Sequence, residues 1–216
     1  MTEKLDMLIF GAHPDDAEIG MGATIAKHAR LGWRIGICDL TRAELSSNGT
    51  VEQRMKEAKR AGEILGLAVR TNLELPDRGL SFCEDAVERI TLEIRKYRPE
   101  LVFAPYWNDR HPDHVMCSRL VEEAVFNAKL RKYLPDSEPV NVSQCFFYYI
   151  NDVHEPDLLV DISDYHEVKL QALRAYRSQF VHRTGENSVQ TVLNQGYLER
   201  DAARDRLFGQ LRSVAY

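Results

Sequence analysis

Histidine and aspartate side chains are concentrated in two short segments, one near the N-terminus and one near mid-chain. The first is His13-Pro14-Asp15-Asp16-Ala17-Glu18, and the second is Asn108-Asp109-Arg110-His111-Pro112-Asp113-His114. Catalytic zinc usually takes three nitrogen or oxygen ligands from the protein and keeps one position for water. Either segment alone is more often a turn, because proline and aspartate both favour turns. Together, the two segments indicate a metal-dependent hydrolase.

The spacing of these residues favours one ligand set. His13 and Asp16 are three residues apart, so a turn can direct both at one point. His114 can supply a third ligand from the second segment. Asp15 then lies beside the metal without binding it, and its carboxylate can take a proton from the attacking water. We therefore predict Asp15 as the general base and the other three residues as metal ligands.

The sequence leaves two roles open in the second segment. Pro112 suits the first position of a helix, which places His111 at the cap and His114 one turn onward. His111 could stabilise a developing oxyanion as a cation, or donate a proton to a leaving amine. Asp113 could orient one of the histidines, or simply complement the helix dipole.

Other candidate residues have weaker signals. Arg54 could bind an anionic group, although an exposed arginine on a helix is the commoner case, and Arg110 has a better position between Asp109 and His111. The glycines near the first segment do not form a GxGxxG motif, which disfavours a dinucleotide cofactor. The remaining histidines have no acidic or histidine neighbour at ligand spacing and are interpreted as surface or core residues: His28, His154, His166 and His182.

An alternation of buried strands and helices is predicted to position the two segments. Apolar runs predict strands at 7–10, 35–40, 69–73 and 101–104, with further apolar runs at 146–150 and 158–160. Helical patterns cover 22–31, 51–65, a segment that follows a cap at Ser81 and reaches about 97, 111–129, 165–178 and 196–208. Strands that are apolar throughout indicate a mostly parallel sheet flanked by helices, in one Rossmann-like α/β domain over residues 1–216. Ligands bind such sheets beyond the carboxyl ends of the strands, where both segments lie.

Helix-end signals refine two of these helices. Thr50 is expected to cap the helix that starts at residue 51, and Gly66 is expected to end it. Ser81 and Glu84 form a capping-box pattern for the next helix.

Composition excludes several classes of partner. The formal net charge of −5 gives no electrostatic basis for binding nucleic acid or anionic lipid. No apolar run approaches the roughly 20 residues of a membrane span, and the first residues are too charged for a signal peptide. The four cysteines form no CxxC pair, and we interpret them as free, buried thiols. A cytoplasmic location is therefore expected.

At its two histidine–aspartate motifs the sequence resembles the PIG-L/LmbE-like family of zinc-dependent N-deacetylases. The matching motifs are Ala12-His13-Pro14-Asp15-Asp16-Ala17-Glu18-Ile19-Gly20 and His111-Pro112-Asp113-His114. The stretches 39–41, 45–50 and 75–80 are similar to the branch that deacetylates N-acetylglucosaminyl-malate in bacillithiol biosynthesis. Arg42 departs from the pattern, because an acidic residue is expected after Thr41.

The resemblance implies the same three ligands and the same base, with His111 as an electrostatic or acid partner. It also implies Arg54 and Arg110 as substrate contacts, Tyr197 as a mobile residue near the pocket, and a homohexamer. The expected cofactor is one Zn²⁺ per subunit, although histidine and aspartate also bind iron, manganese or cobalt. The expected substrate is a small N-acetylated glucosaminide. Alternatives are another N-acetylated sugar, a different metal-dependent hydrolysis, or a non-enzymatic nucleotide- or metal-binding domain.

Overall fold

A five-stranded parallel sheet forms the centre of the fold. The structure is a computed structural model and describes residues 4–181 and 189–216. The strands are β1 (Met7–Gly11), β2 (Ile35–Thr41), β3 (Val69–Leu75), β4 (Leu101–Pro105) and β5 (Gln144–Tyr148). Their order is β3-β2-β1-β4-β5, and every pairing is parallel. The chain steps outward from β1 to β3 and then returns to β4, so the topological switch lies between β1 and β4.

Helices cover both faces of the sheet. They are α1 (Asp16–Arg30), α2 (Val51–Leu65), α3 (Glu84–Tyr97), α4 (Pro112–Ala128), α5 (His166–Ala175), α6 (Arg177–Phe180) and α7 (Tyr197–Gln210). Within the described ranges, no helix combines the length and the apolar character that crossing a bilayer requires.

The sheet separates two hydrophobic cores. Successive side chains of a strand point to opposite faces, so Leu8 and Phe10 pack with α3 and α4, whereas Met7 and Ile9 pack with α1, α2 and α5. Both faces of β1 are therefore buried, which explains why its sequence is apolar throughout. The predicted parallel α/β fold is confirmed.

The ends of α2 agree with the sequence prediction, whereas the start of α3 differs from it. Thr50 caps α2 by accepting the Gln53 N–H at 3.2 Å, and Gly66 ends that helix at φ +77°. The capping box at Ser81 is wrong, because Cys83 is the N-cap of α3 and makes no side-chain cap bond. The apolar run 158–160 forms no strand. The four cysteines are free, and Cys83 is exposed rather than buried as expected.

Helix α1 begins at Asp16, six residues earlier than predicted. The glycines at 20 and 22 obscured its start, because glycine lowers helix propensity. Their absent side chains are needed for packing: a Cβ on Gly20 would lie 2.8 Å from Cε2 of Tyr148 and closer still to Cδ2. Tyr148 is buried, and its hydroxyl donates to the Phe10 carbonyl at 2.7 Å. The glycine therefore allows α1 to approach β5 beside the end of β1.

Replacing Gly20 with alanine is expected to destabilise the protein by about 1–3 kcal/mol, because overpacking must displace Tyr148. Gly62→Ala in α2 is the matched control. Its added Cβ would lie 3.1 Å from the end of the Leu67 side chain, and alanine gains up to about 1 kcal/mol in helix propensity over glycine. Urea unfolding of both variants tests the difference. Equal stability of the two variants would contradict the close approach of α1.

Candidate active site

Both histidine–aspartate segments lie at the carboxyl ends of neighbouring strands. Residues 12–15 connect β1 to α1, and residues 106–111 connect β4 to α4. Because β1 and β4 are paired, the two connections meet at the topological switch. His111 is the N-cap of α4, as expected, and Pro112 occupies its first turn. The predicted convergence of the two segments is therefore present in the structure.

The carboxylate of Asp16 lies between two imidazoles. Its Oδ2 is 3.4 Å from Nδ1 of His13, and its Oδ1 is 3.2 Å from Nε2 of His114. Its Oδ2 also accepts the backbone N–H of His13 at 2.8 Å. All three side chains are buried. Asp16 therefore contacts both imidazoles, each through a different oxygen, and two imidazoles with a carboxylate are donor types that suit zinc and other first-row divalent metals.

His111 is a further member of the histidine cluster. Nitrogens of His13, His111 and His114 lie within 4.8 Å of one another, so this triad could also hold a metal ion. However, Nδ1 of His111 accepts the backbone N–H of Asp113 at 3.2 Å. Burial, together with the charges of His114 and His13, lowers the pKa of His111 to about 4. A neutral His111 whose Nδ1 is an acceptor carries its proton on Nε2, which makes Nε2 a hydrogen-bond donor.

Asp15 occupies a strained position beside the ligands. It is the N-cap of α1 at φ +125°, a conformation that L-residues rarely adopt and that occurs mainly at functional sites. Its carboxylate is buried and accepts from Nη2 of Arg54 at 2.9 Å. Burial raises the pKa of Asp15 to about 7, against the opposing charge of Arg54. A carboxylate with a pKa near neutrality suits a general base.

Arg54 is buried, so the commoner case of an exposed helical arginine does not apply to it. Its side chain runs from the start of α2 to the first segment, where Nε donates to the Pro14 carbonyl at 2.8 Å and Nη2 donates to Asp15. Among the described residues, Nη1 has no hydrogen-bond partner. Arg54 therefore holds the loop and the carboxylate of Asp15 in place, and its free nitrogen lies in the same buried site.

A cavity of about 250 Å³ opens above these residues. Arg54, Arg110 and Tyr197, the three residues that the resemblance implied as substrate contacts, all line it. Arg110 is exposed, whereas Tyr197 is buried and donates its hydroxyl to the Ile150 carbonyl at 3.2 Å. A larger cavity of about 550 Å³ lies between β5 and α7 and includes none of the histidines or aspartates of the two segments.

Two aspartates that contact the histidines were not predicted as site residues. Oδ1 of Asp77 is 3.3 Å from Nε2 of His13, and Oδ1 of Asp109 is 3.0 Å from Nδ1 of His114. Asp77 follows the carboxyl end of β3, so the rule that located the two segments also applies to it. Asp113 contacts His13 as well, with its Oδ2 at 3.4 Å from Nε2. That contact favours the role of Asp113 in orienting a histidine. Asp113 also lies in the first turn of α4, where a carboxylate complements the helix dipole.

Three other histidines lie outside this cluster. His28 bonds to the Thr24 carbonyl within α1, and His154 bonds to the Asn108 carbonyl. His166 stacks on Tyr216 with ring centroids 3.7 Å apart. His182 lies outside the described residues.

The charge of His114 predicts how the metal-free protein responds to pH. Burial opposes the charged imidazolium, but Asp16 and Asp109 stabilise it and raise the pKa of His114 to about 9. Because this pKa lies above the ordinary value of 6.5, the stabilisation is complete below about pH 6.5 and is lost as the pH rises through 9. The melting temperature of chelator-treated protein should therefore fall across this range. His114→Gln, which cannot titrate, should show a smaller fall, and an identical fall would contradict the assignment.

A protein-family model matches the part of the chain that contains both histidine–aspartate segments. Residues 8–125 match the family model described as PIG-L, GlcNAc-PI de-N-acetylase. The matched region covers more than half of the chain.

Curated relatives extend the likeness over most of the chain. Diacetylchitobiose deacetylase of Thermococcus kodakarensis is 35% identical over 189 residues, which cover 81% of this chain and 70% of that protein. A probable N-acetyl-alpha-D-glucosaminyl L-malate deacetylase 2 of Bacillus subtilis is 27% identical over 190 residues, which cover 82% and 84% of the two chains.

Solved structures share the fold. A conserved protein of Thermus thermophilus superposes with a TM-score of 0.90 at 40% identity, over 98% of this chain and 91% of the other. The N,N'-diacetylchitobiose deacetylase of Pyrococcus horikoshii, complexed with its inhibitor MPG, gives a TM-score of 0.84 at 25% identity, over 100% and 81%.

Proposed function

Because the chain belongs to the PIG-L family of deacetylases, we propose that it hydrolyses the acetamide of an N-acetylglucosaminyl compound to acetate and a free amine. The observation that carries the proposal is the convergence of His13, Asp16 and His114 beside the buried carboxylate of Asp15. The named relatives support the sugar part of the substrate, because they are described as deacetylases of N-acetylated glucosamine compounds.

The proposed metal ligands are Nδ1 of His13, the carboxylate of Asp16 and Nε2 of His114, with one zinc ion per chain as the first expectation. A divalent metal at this position would acidify a water molecule and polarise the acetyl carbonyl. Three protein ligands leave room for water and substrate, which is the arrangement of catalytic rather than structural zinc sites.

Asp15 is proposed to take the proton as the water oxygen forms its bond to the acetyl carbon. Arg54 holds the base through the 2.9 Å contact and through the Pro14 carbonyl, so the carboxylate does not need to reorganise during the reaction. The same carboxyl group can then return the proton to the nitrogen as the C–N bond breaks. Acetate and the amine are the products, and the base is regenerated.

His111 is proposed to stabilise the tetrahedral oxyanion as a neutral hydrogen-bond donor. Its Nδ1 is occupied by the Asp113 N–H, which leaves Nε2–H as the donor. Burial, the largest cause of its lowered pKa, disfavours the cationic alternative at neutral pH. Full proton transfer from a neutral imidazole to the amine would produce an imidazolate, so the acid role is also disfavoured. Loss of one oxyanion donor typically lowers kcat by about 10²–10³-fold.

For the rest of the substrate we propose a carboxylate-bearing aglycone, with L-malate as the first candidate. Arg78 and Arg110 are exposed residues at the cavity. Nη1 of Arg78 donates to Asp113 at 2.9 Å, and the other donors of the two guanidinium groups suit a carboxylate. The likeness to the Bacillus subtilis protein supports this choice. A neutral disaccharide is the second candidate, because the Thermococcus relative has the higher identity. In either case we propose Arg54, Arg110 and Tyr197 as substrate contacts.

A substrate panel tests the proposal. Metal-loaded protein is incubated with N-acetylglucosaminyl-malate, N,N'-diacetylchitobiose and N-acetylglucosamine, and acetate and primary amine are measured together. Equal release of both products is expected, with the highest kcat/KM for the malate compound. Phosphate monoesters serve as the test of the rival hydrolase. Release of phosphate, or no acetate from any N-acetylated sugar, would overturn the proposal.

The homohexamer implied by the resemblance remains a prediction. Light scattering coupled to size-exclusion chromatography measures it directly, since the chain mass is 24.8 kDa.

A further inference from the structure

We propose that Asp77 and Asp109 are positioning residues that set the tautomers of the two metal-binding histidines and thereby set the metal affinity. The inference rests on the proposed function only in taking His13 and His114 as ligands. Each imidazole has one nitrogen directed at Asp16 and the other directed at an outer carboxylate. A ring that donates its outer N–H presents a lone pair on its inner nitrogen.

Asp109 fixes His114. Its side chain is 4% exposed, and its Oδ1 lies 3.0 Å from Nδ1 of His114. The same oxygen accepts the backbone N–H of His111 at 2.8 Å and the side-chain amide of Asn151 at 2.9 Å. Its Oδ2 accepts the backbone N–H of Asn151 at 3.2 Å. One carboxylate therefore joins the β4–α4 connection to the chain after β5 and holds Nδ1 of His114 as a donor.

Asp77 fixes His13 from the opposite side. Its Oδ1 lies 3.3 Å from Nε2 of His13, and its Oδ2 accepts the backbone N–H of Leu45 at 2.9 Å. Leu45 belongs to the stretch after β2 that lines the cavity. Asp113 gives the same Nε2 a second carboxylate contact at 3.4 Å. Asp77 therefore connects a proposed metal ligand to a wall of the cavity.

An asparagine at either position keeps the shape of the aspartate side chain but cannot accept the same set of hydrogen bonds. At residue 109, an amide has only one oxygen for four donors, and its NH₂ group would face another donor. At residue 77, the amide oxygen can accept from His13 or from the Leu45 N–H, but not from both. Replacing the outer partner of a metal-binding histidine typically weakens metal affinity by about 10–100-fold.

The test measures the dissociation constant of Zn²⁺ by competition with a chromophoric chelator. Asp77→Asn and Asp109→Asn are each expected to bind zinc about 10–100-fold more weakly than the parent protein. Glu44→Gln is the matched control: among the described residues the Glu44 carboxylate accepts the backbone N–H of Asp77 at 2.8 Å, and glutamine keeps an oxygen that can accept it. The zinc affinity of this control should stay unchanged. Unchanged zinc affinity in both aspartate variants would overturn the inference.

A second test uses the unmodified protein, so its result does not depend on whether the variants fold. Long-range ¹H–¹⁵N spectra of the zinc-loaded protein report which imidazole nitrogen carries a proton. We expect a proton on Nε2 of His13 and on Nδ1 of His114. The opposite tautomer on either ring would overturn the inference. If zinc binds with these tautomers but no N-acetylated sugar is turned over, the proposed function fails and the inference about Asp77 and Asp109 stands.

Discussion

Asp15→Asn is expected to lower kcat for acetate release by about 10²–10⁴-fold, the usual contribution of a general base. The amide has nearly the shape of the carboxylate and can still accept from Arg54, but it cannot take a proton from water. Asp15 is not a proposed ligand, so the metal content should remain at one ion per chain. Steady-state assays on metal-loaded protein, with metal measured by elemental analysis, test both parts of the prediction.

A matched control distinguishes the loss of the general base from the loss of any one carboxylate charge. Asp85→Asn removes an exposed carboxylate from the first turn of α3, and its kcat should stay at the parent value. The effect of Asp15→Asn should be in kcat more than in KM, because the proton moves only in the transition state. A near-parent kcat in metal-loaded Asp15→Asn protein would show that another group takes the proton.

The fold was predictable because its strands are buried on both faces. Met7 to Phe10 alternate between two cores, so every position of β1 is apolar, and a run of that kind followed by a helix is typical of a parallel sheet. The start of α1 was less predictable. A glycine is needed at position 20 of α1 because a side chain there would collide with Tyr148. Tyr148 lies more than a hundred residues away in sequence, so no local pattern contains that contact.

The site also combines features that a local sequence pattern indicates with contacts that no local pattern contains. The convergence of His13, Asp16 and His114 was predictable because the ends of paired parallel strands meet at one edge of the sheet. Asp77 also follows a strand end, but it lies in a turn motif with no neighbouring histidine. Its contact with His13 depends on how the chain after β3 folds back over the site.

The burial of Arg54 could not be predicted from its place on a helix. Its position near the start of α2 suggested exposure, yet it is 4% exposed, because the first segment covers it and supplies a carbonyl and a carboxylate as partners. A buried arginine requires such partners, and they come from a part of the chain 40 residues earlier.

At pH 9, about two units above the Asp15 pKa of about 7, Arg54→Met is expected to lower the free energy of unfolding by up to about 3 kcal/mol, because the buried carboxylate of Asp15 then lacks its counter-charge and must take up a proton. The two side chains are 5% and 4% exposed, so little solvent reaches them to replace the lost contact. Urea unfolding of chelator-treated protein measures the change without a contribution from bound metal. The activity of the metal-loaded variant should also fall, since nothing then holds the base in position.

The double variant Arg54→Met, Asp15→Asn distinguishes this explanation from a simple loss of packing. With both charges removed, neither group is buried without a partner, so the double variant should be more stable than Arg54→Met alone. A packing defect would instead remain, and the two single effects would add. If the double variant has the summed destabilisation of the two single variants, the Arg54–Asp15 ion pair does not hold the base. The rigid placement of Asp15 would then depend on its strained backbone at the start of α1.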